Sequence, residues 1–338
     1  MILILIVINT IGFLEGVGLG LVLAIVLFIV DYSRINVVKH TFTGATFHSN
    51  VSRPRLHQQL LRRKGDWLCI LELQGFIFFG TAQKVLDMIR QRIDDRNLPP
   101  VRFLVLDFRL VNGFDSSAVL GFAKMKQLTE ARGLTLVFTH LSPKMQRQMK
   151  KEILREGEKH SLQVFPDLDH GIEWCEDQMI TTFQSLDFGA TPLTLMKQLE
   201  EALPPSVSAA HLMTYFEEKK AEQGEYLIRQ GEESALFFVE SGQVTVQLEG
   251  GDGKITRLRT MRSGTVVGEL GCYLHQKASA SVIADDPCTL FYLPAKKLEE
   301  MEKDAPEIAS ALHKFIAGIL SERLIDTNDA LQALIHSL

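Results

Sequence analysis

Charge is almost missing from the front of the chain. Glu15 is the only charged residue between Met1 and Val30, and no Lys or Arg precedes the apolar run there. The basic start of a secretory signal is therefore absent. Cysteine is scarce too: four in 338 residues, at Cys69, Cys175, Cys272 and Cys288. No two are spaced like a metal hook or a redox pair, and a chain of this length needs no disulfide stapling, so reduced thiols in a cytosolic compartment are expected. An excess of basic charge is also lacking. The formal net charge of -5 argues against a nucleic-acid binder held by bulk charge. No nucleophile elbow, P-loop, zinc spacing or Rossmann glycine fingerprint occurs. The histidines, among them His40, His48, His140, His160 and His170, are scattered and are expected to be solvated or capping. With no constellation to stand on, catalysis is not expected and neither is a metal.

What is present is apolar bulk, unevenly placed. Hydrophobic residues make up 46% of the chain against 23% charged. The mean hydropathy of +0.07 is high for 41 acidic and 36 basic residues. The excess sits in Ile2–Ile8 and Val17–Val30, separated by Asn9, Thr10, Gly12, Glu15 and Gly16. As a helix, Val17–Val30 reaches about 21 Å against a hydrocarbon thickness of roughly 30 Å, so one tilted helix or two short pieces fit. Gly12, Gly16 and Gly20 would share a face that admits partner helices, and Glu15 should face protein or water. Between Asp31 and Gly65 seven bases (Arg34, Lys39, Arg53, Arg55, Arg62, Arg63, Lys64) meet one acid, a net +6. Such a collar marks the cytoplasmic side of a membrane segment. The expected organisation starts with a membrane segment over 1–34 and a basic linker over 35–65.

Strands and helices alternate over 66–182. Leu68–Leu73 and Phe76–Phe79 are β-prone runs separated by Gly75, and Thr81–Arg96 has a helical apolar face. Phe103–Phe108 reads as a buried central strand, Asn112-Gly113 as a turn, and Asp115 as the N-cap of a helix ending at Gly133. Leu134–Thr139, a helix over Lys144–Glu156, Leu162–Phe165 and a helix over about Asp169–Thr182 complete an α/β sandwich. Asp115, Ser116 and Ser117 stand between a buried strand and a helix start, where amides converge and negative charge is favoured. They either cap the helix or form a phosphorylation or anion site.

VLDFRLVNGFDSSAVLGF, with GFIFFGTA upstream, resembles a STAS domain, the fold of anti-sigma factor antagonists and of the cytoplasmic tails of SulP-type anion transporters. In the antagonists the second Ser of the motif is phosphorylated, which corresponds to Ser117; in transporter tails this is not the rule. GFLEGVGLGLVLAIVLFIVDYSRI, followed by GATFHSNVSRP, is similar to the last membrane segments of SulP transporters. The resemblance implies the C-terminal part of a split or truncated transporter, without the transport core and unable to transport alone.

Residues 183–209 read as a polar helical connector ending in Pro204-Pro205. Over 210–325, short strands punctuated by Gly224, Gly231, Gly242, Gly250, Gly251 and Gly264 suggest a β-roll or jelly roll with flanking helices. YLIRQGEESALFFVESGQVTV and GTVVGELGCYLHQKASASVIADDPCTLFYL resemble a cyclic-nucleotide-binding domain. In that family the segment matching Gly268, Glu269 and Leu270 holds the cyclic phosphate on its amides, and the Glu takes the ribose 2′-hydroxyl. A Pro-Arg normally follows, and its Arg pairs with the phosphate. Those places read Lys277-Ala278, so the planar guanidinium is gone. Lys277 could supply a point charge, and Ser279 and Ser281 hydroxyls. Binding of cAMP or cGMP is implied only weakly; the alternative is a roll that kept its fold and lost its ligand. The sixteen residues beyond Glu322 leave no room for a helix-turn-helix, so no nucleic-acid partner is expected.

The expected whole is multidomain: a membrane helix, a STAS sandwich and a jelly roll, with the soluble domains in the cytoplasm under an inner or plasma membrane. The expected partners are membrane lipid and a missing transporter core or a second copy. The expected function is regulation of a SulP-type anion transporter. The alternative is a membrane-tethered signalling module with a phosphorylatable Ser117 and a nucleotide sensor.

Overall fold

The computed structural model describes residues 12–33, 36–150, 153, 161–184, 194–251 and 253–336. The chain divides into two compact units: Met1–Phe42 with Trp67–Leu168, and Thr43–Asp66 with Asp169–Leu338. In chain order, helix α1 (Phe13–Ser33) and strand β1 (Val38–Thr43) are followed by β2 (Val51–Ser52) and α2 (Arg55–Lys64). Then come β3 (Leu68–Ile77), α3 (Phe79–Asp94), β4 (Phe103–Phe114), α4 (Ser116–Ala131), β5 (Thr135–Thr139), α5 (Pro143–Met149) and β6 (Leu162–Phe165).

Among the described residues no helix is long and apolar enough to cross a membrane. The expected membrane segment over 1–34 is thus not found there; its block Ile2–Ile8 and the side chain of Glu15 lie outside the described residues. Gly12 stands before α1, with φ 156°, rather than on a helix face with Gly16 and Gly20.

The first unit is built on a five-stranded sheet in the order β1-β3-β4-β5-β6, with β3 through β6 parallel. The nearly unbroken apolar runs of β3 and β4 follow from burial of both faces. Phe108, Phe122 and Phe138 are fully buried and meet edge to face, with ring centroids 5.3–6.1 Å apart. Such pairs contribute about 0.5–1.5 kcal/mol each beyond their buried area.

Two local readings change here. Gly75, at φ 75°, does not separate two strands but bulges one, with register shifts on either side. Asn112-Gly113 is not a turn: β4 runs through it, and Gly113 pairs with Phe76, whose ring lies 3.1 Å from where a Cβ would stand. A glycine needed for close approach carries the same sequence signal as one needed for a turn. The helix expected over Lys144–Glu156 is described as far as Met149, and most of its remainder lies outside the described residues.

The second unit holds α6 (Leu168–Gln184, from Asp169 onward), α7 (Leu195–Ala202), α8 (Ala209–Met213) and a roll of strands β7 (Glu217–Ala221), β8 (Tyr226–Ile228), β9 (Leu236–Ser241) and β10 (Gln243–Glu249). The roll continues with β11 (Ile255–Arg262), β12 (Val266–Val267), α9 (Glu269–Leu274), β13 (Ser281–Ala284) and β14 (Cys288–Leu293), and ends in α10 (Ala295–Asp304) and α11 (Pro306–His336). Its sheets run β2-β11-β10-β13-β8 and β12-β9-β14-β7, a jelly roll with flanking helices. Val244, Val282 and Leu290 fill the space inside the roll, while Leu199, Leu236, Leu312 and Ile316 join the helices to it. Strand β7 (EEKKA) has only one buried side chain, Ala221, so no apolar alternation betrays it. Strand β2 comes from the basic linker and lies parallel to β11, Val51 beside Thr260 and Ser52 beside Met261.

Candidate functional site

The sequence points first to the start of α4. Asp115 is its N-cap, extended at φ -87° and ψ 173°, and its Oδ1 accepts from the Ala118 amide at 2.8 Å and from the Ser117 hydroxyl at 2.6 Å. Ser116 is exposed, whereas Ser117 is half-buried with its hydroxyl directed at the carboxylate. Capping accounts for these contacts. Asp115→Ala is expected to cost the first unit about 1 kcal/mol in urea unfolding, within the 0.5–2 kcal/mol range of lost N-caps.

The second place is the turn into α9. Gly268 has φ 83°, and a Cβ there would collide with the carbonyl oxygen of Ala235. Glu269 is buried and accepts from Nη1 of Arg323 on α11 at 2.9 Å, while Nη2 of the same guanidinium donates to the Val266 carbonyl. Burial lowers the Arg323 pKa from its ordinary value, with Glu269 opposing. Ser281 is fully buried, and its hydroxyl accepts from the Gln230 amide at 2.9 Å. Leu270, Lys277 and Ser279 are exposed, and Ala278 is buried with its backbone bonded to Gly231 and Glu232. The candidate residues therefore do not converge as a ready phosphate clamp. Glu269 is already matched by a cation, Ser281 is spent on backbone, and no guanidinium stands at position 278. A nearby cavity of about 280 Å³ is lined by Leu227, Ile228, Ala235, Phe237 and Tyr292, with Lys219 and Glu233 at its polar side.

The third arrangement was not legible in the sequence. Asp169, Glu173, Glu176 and Asp177 share one face of α6 through i, i+4, i+7 and i+8 spacing. Glu173 and Asp177 both meet Arg262, at 3.3 and 2.5 Å. Arg257 lies 2.7 Å from Glu173 and 2.9 Å from Asp169. Arg53, from the basic linker, is buried between Glu176 at 3.1 Å and Asp177 at 2.5 Å. Glu176 also accepts from the Ser49 amide and hydroxyl, with His48 Nδ1 3.6 Å away. Burial raises the Glu176 pKa, but His48, Arg53 and Ser49 outweigh it, so the carboxyl sits below its ordinary value. Thus Arg53 in the collar holds a folded network. Linear charge counting sees only its lack of neighbouring acids.

Histidines expected to be solvated likewise face buried acids. His140, at φ 56°, has Nδ1 2.7 Å from Oδ1 of the fully buried Asp107, which also accepts from Thr139. His40 lies 3.8 Å from Glu72, which Arg109 binds at 2.7 Å. His160 lies outside the described residues. No cluster of three or more potential metal ligands occurs among the described residues.

Residues 59–170 match the model of the STAS domain, and residues 218–304 that of the cyclic nucleotide-binding domain. The chain therefore carries a STAS domain followed by a cyclic nucleotide-binding domain. It is 26% identical over 180 residues to the vacuolar basic amino acid transporter VSB1 of Saccharomyces cerevisiae, covering 52% of this chain and 17% of that one. It is 29% identical over 283 residues to Glutaminase 2 of Bradyrhizobium diazoefficiens, covering 83% of this chain and 43% of the relative. Glutaminase 1 of the same organism is also 29% identical, over 304 residues, 88% of this chain and 47% of the relative. The chain thus spans less than half the length of each of these relatives.

The glutaminase matches overturn one expectation. The sequence, lacking a catalytic constellation, leads one to expect no enzyme, yet two enzymes are similar to most of the chain. Motif absence is a weak ground, because catalytic groups are brought together by the fold and need no fixed spacing. Both matched domains are of regulatory type, so the likeness to enzymes is itself a weak one.

Proposed function

We propose that the chain is a regulatory module, in which the STAS domain and the roll control an attached effector at a membrane, and that the effector is a SulP-type anion transporter. The transporter relative and the apolar residues of 1–34 support the membrane placement, with the body of the chain on the cytoplasmic side. Missing transporter segments or a second copy are the partners in this reading, and nucleic acid is not one. Ser117 remains the position for a phosphoryl group if one is carried, its hydroxyl then leaving Asp115.

The observation that carries the regulatory reading is the Arg323–Glu269 pair, which ties the long terminal helix α11 to the residue the nucleotide family uses for the ribose. A nucleotide must take Glu269 from Arg323, and the Ala278 position gives it no guanidinium in return. Losing a charged hydrogen bond costs about 1.5–3 kcal/mol, roughly a 10- to 150-fold loss in affinity. Calorimetric titration of the full chain with cAMP and cGMP is therefore expected to show no micromolar binding, and Ala278→Arg is expected to gain affinity at least tenfold. Saturable micromolar heat from the unaltered chain would refute the degenerate pocket.

A second reading is favoured by coverage, since the glutaminases match 83% and 88% of the chain against 52% for the transporter. The same module would then control hydrolysis of the glutamine side-chain amide. Ammonia release from glutamine by a glutaminase catalytic domain that changes when the chain is joined to it supports this reading. Anion uptake that appears only when the chain is co-expressed with a SulP membrane core supports the first.

A further inference from the structure

Beside the ion-pair network, within the second unit, lies a cavity of about 130 Å³. That is several times the roughly 30 Å³ a water molecule occupies in the liquid. Arg53, Arg62, Arg259, His48, Ser49 and Thr327 are among the residues lining it, and Glu176 is the one carboxylate among the described lining residues. Arg53 is paired with Glu176 and Asp177, whereas Arg259 meets no acid among the described residues. Glu176 is also the group least able to repel an anion, because its oxygens already accept from Ser49 and Arg53.

The three roll arginines on β11 differ in their partners. Arg257 and Arg262 are each shared by two carboxylates of α6. Arg259 meets none among the described residues: its Nη1 donates to the Ser52 hydroxyl at 3.3 Å and its Nη2 to the Thr327 hydroxyl at 3.4 Å. A half-buried guanidinium held by two long bonds to neutral oxygens, at the edge of a polar cavity, has its charge unmatched by any acid among the described residues. Arg53 closes the wall with a side chain 2% exposed, and its buried Nε has no hydrogen-bond partner among the described residues.

We propose that this cavity binds a tetrahedral oxyanion, sulfate or inorganic phosphate, with Arg259 as its main ligand. The planar fork of a guanidinium offers two parallel N–H donors to two oxygens of such an ion, which neutral hydroxyls cannot match. Ser49 and Thr327 hydroxyls stand on the remaining sides. Because Arg259 now bridges the linker through Ser52 and α11 through Thr327, an ion taking its fork would exchange both bonds and couple those two segments to anion concentration. The site is separate from the α9 turn, and it stands whether or not a nucleotide binds there.

The test is calorimetry on the full chain with sodium sulfate and sodium phosphate, against sodium chloride at matched ionic strength. Saturable binding of both oxyanions and none of chloride is expected. Arg259→Gln is expected to weaken sulfate at least tenfold. Should Arg259→Gln lose its circular-dichroism spectrum, Arg259→Lys keeps the charge without the fork and is expected to bind severalfold more weakly. Absence of saturable heat, equal binding of chloride, or unchanged affinity in both Arg259 variants would overturn the site. A cAMP arm separates sources of the same chemistry: displacement of sulfate by cAMP overturns the free-ion assignment, and indifference to cAMP supports it.

Discussion

Arg53→Met is expected to destabilise the second unit by about 3–5 kcal/mol, the cost of breaking a buried ion pair by removing one partner. The side chains of Arg53 and Glu176 are 2% and 4% exposed, so solvent cannot take over when the guanidinium goes. Methionine replaces the stem but leaves Glu176 buried with Ser49 and His48 as its remaining partners. Urea unfolding followed through the roll measures the loss, and a change under 1 kcal/mol would mean the network adds nothing to folding. The pH dependence fixes the sign. Glu176 titrates below its ordinary value in the folded chain, so its contribution is present above the unfolded carboxyl range and is lost as pH falls through the folded value. Glu176→Gln should therefore be less stable than the parent at neutral pH, and the gap should narrow on acidification.

Gly268→Ala is expected to cost roughly 3 kcal/mol or more, because two penalties coincide. Placing a non-glycine residue at φ 83° costs about 1–3 kcal/mol by itself. The new Cβ would also fall onto the Ala235 carbonyl oxygen and within 2.9 Å of Ile228 Cδ1, so strand β8 or the loop before β9 must move. Backbone cannot yield as a flexible side-chain end does. The variant should unfold at markedly lower urea concentration. Gly251→Ala, which meets nothing within 4 Å, should shift the midpoint little. Equal midpoints for the two would show that the α9 turn relaxes freely.

The sheet of the first unit was legible because its strands are short apolar runs and its helix starts carry caps. Asp115 was placed as an N-cap and is one. Boundaries were less legible where glycine has two meanings, as at Gly75 and Gly113. In the roll, glycine punctuation marked most turns, but β7 is too polar and β12 too short to show a pattern. Of the candidate pocket, the left-handed Gly268 follows from its motif. The partner of Glu269 does not, because Arg323 lies 54 residues further on.

By itself the sequence determined most elements of the α/β sheet and of the roll, since apolar period, caps and glycines act over a few neighbours, but not β2 and α2 within the basic linker or the polar β7. It also determined that position 278 offers no guanidinium. Only the tertiary structure decided what the charges do. Arg53 and Glu176 are 123 residues apart, and their pairing depends on burial together in one low-dielectric place. Local composition read Arg53 as part of a membrane-facing collar. Folding made it the partner of a buried carboxylate and left Arg259, on strand β11, with no acid beside it among the described residues. Charges attract according to distance and solvent exposure, and neither is a property of the chain until it has folded.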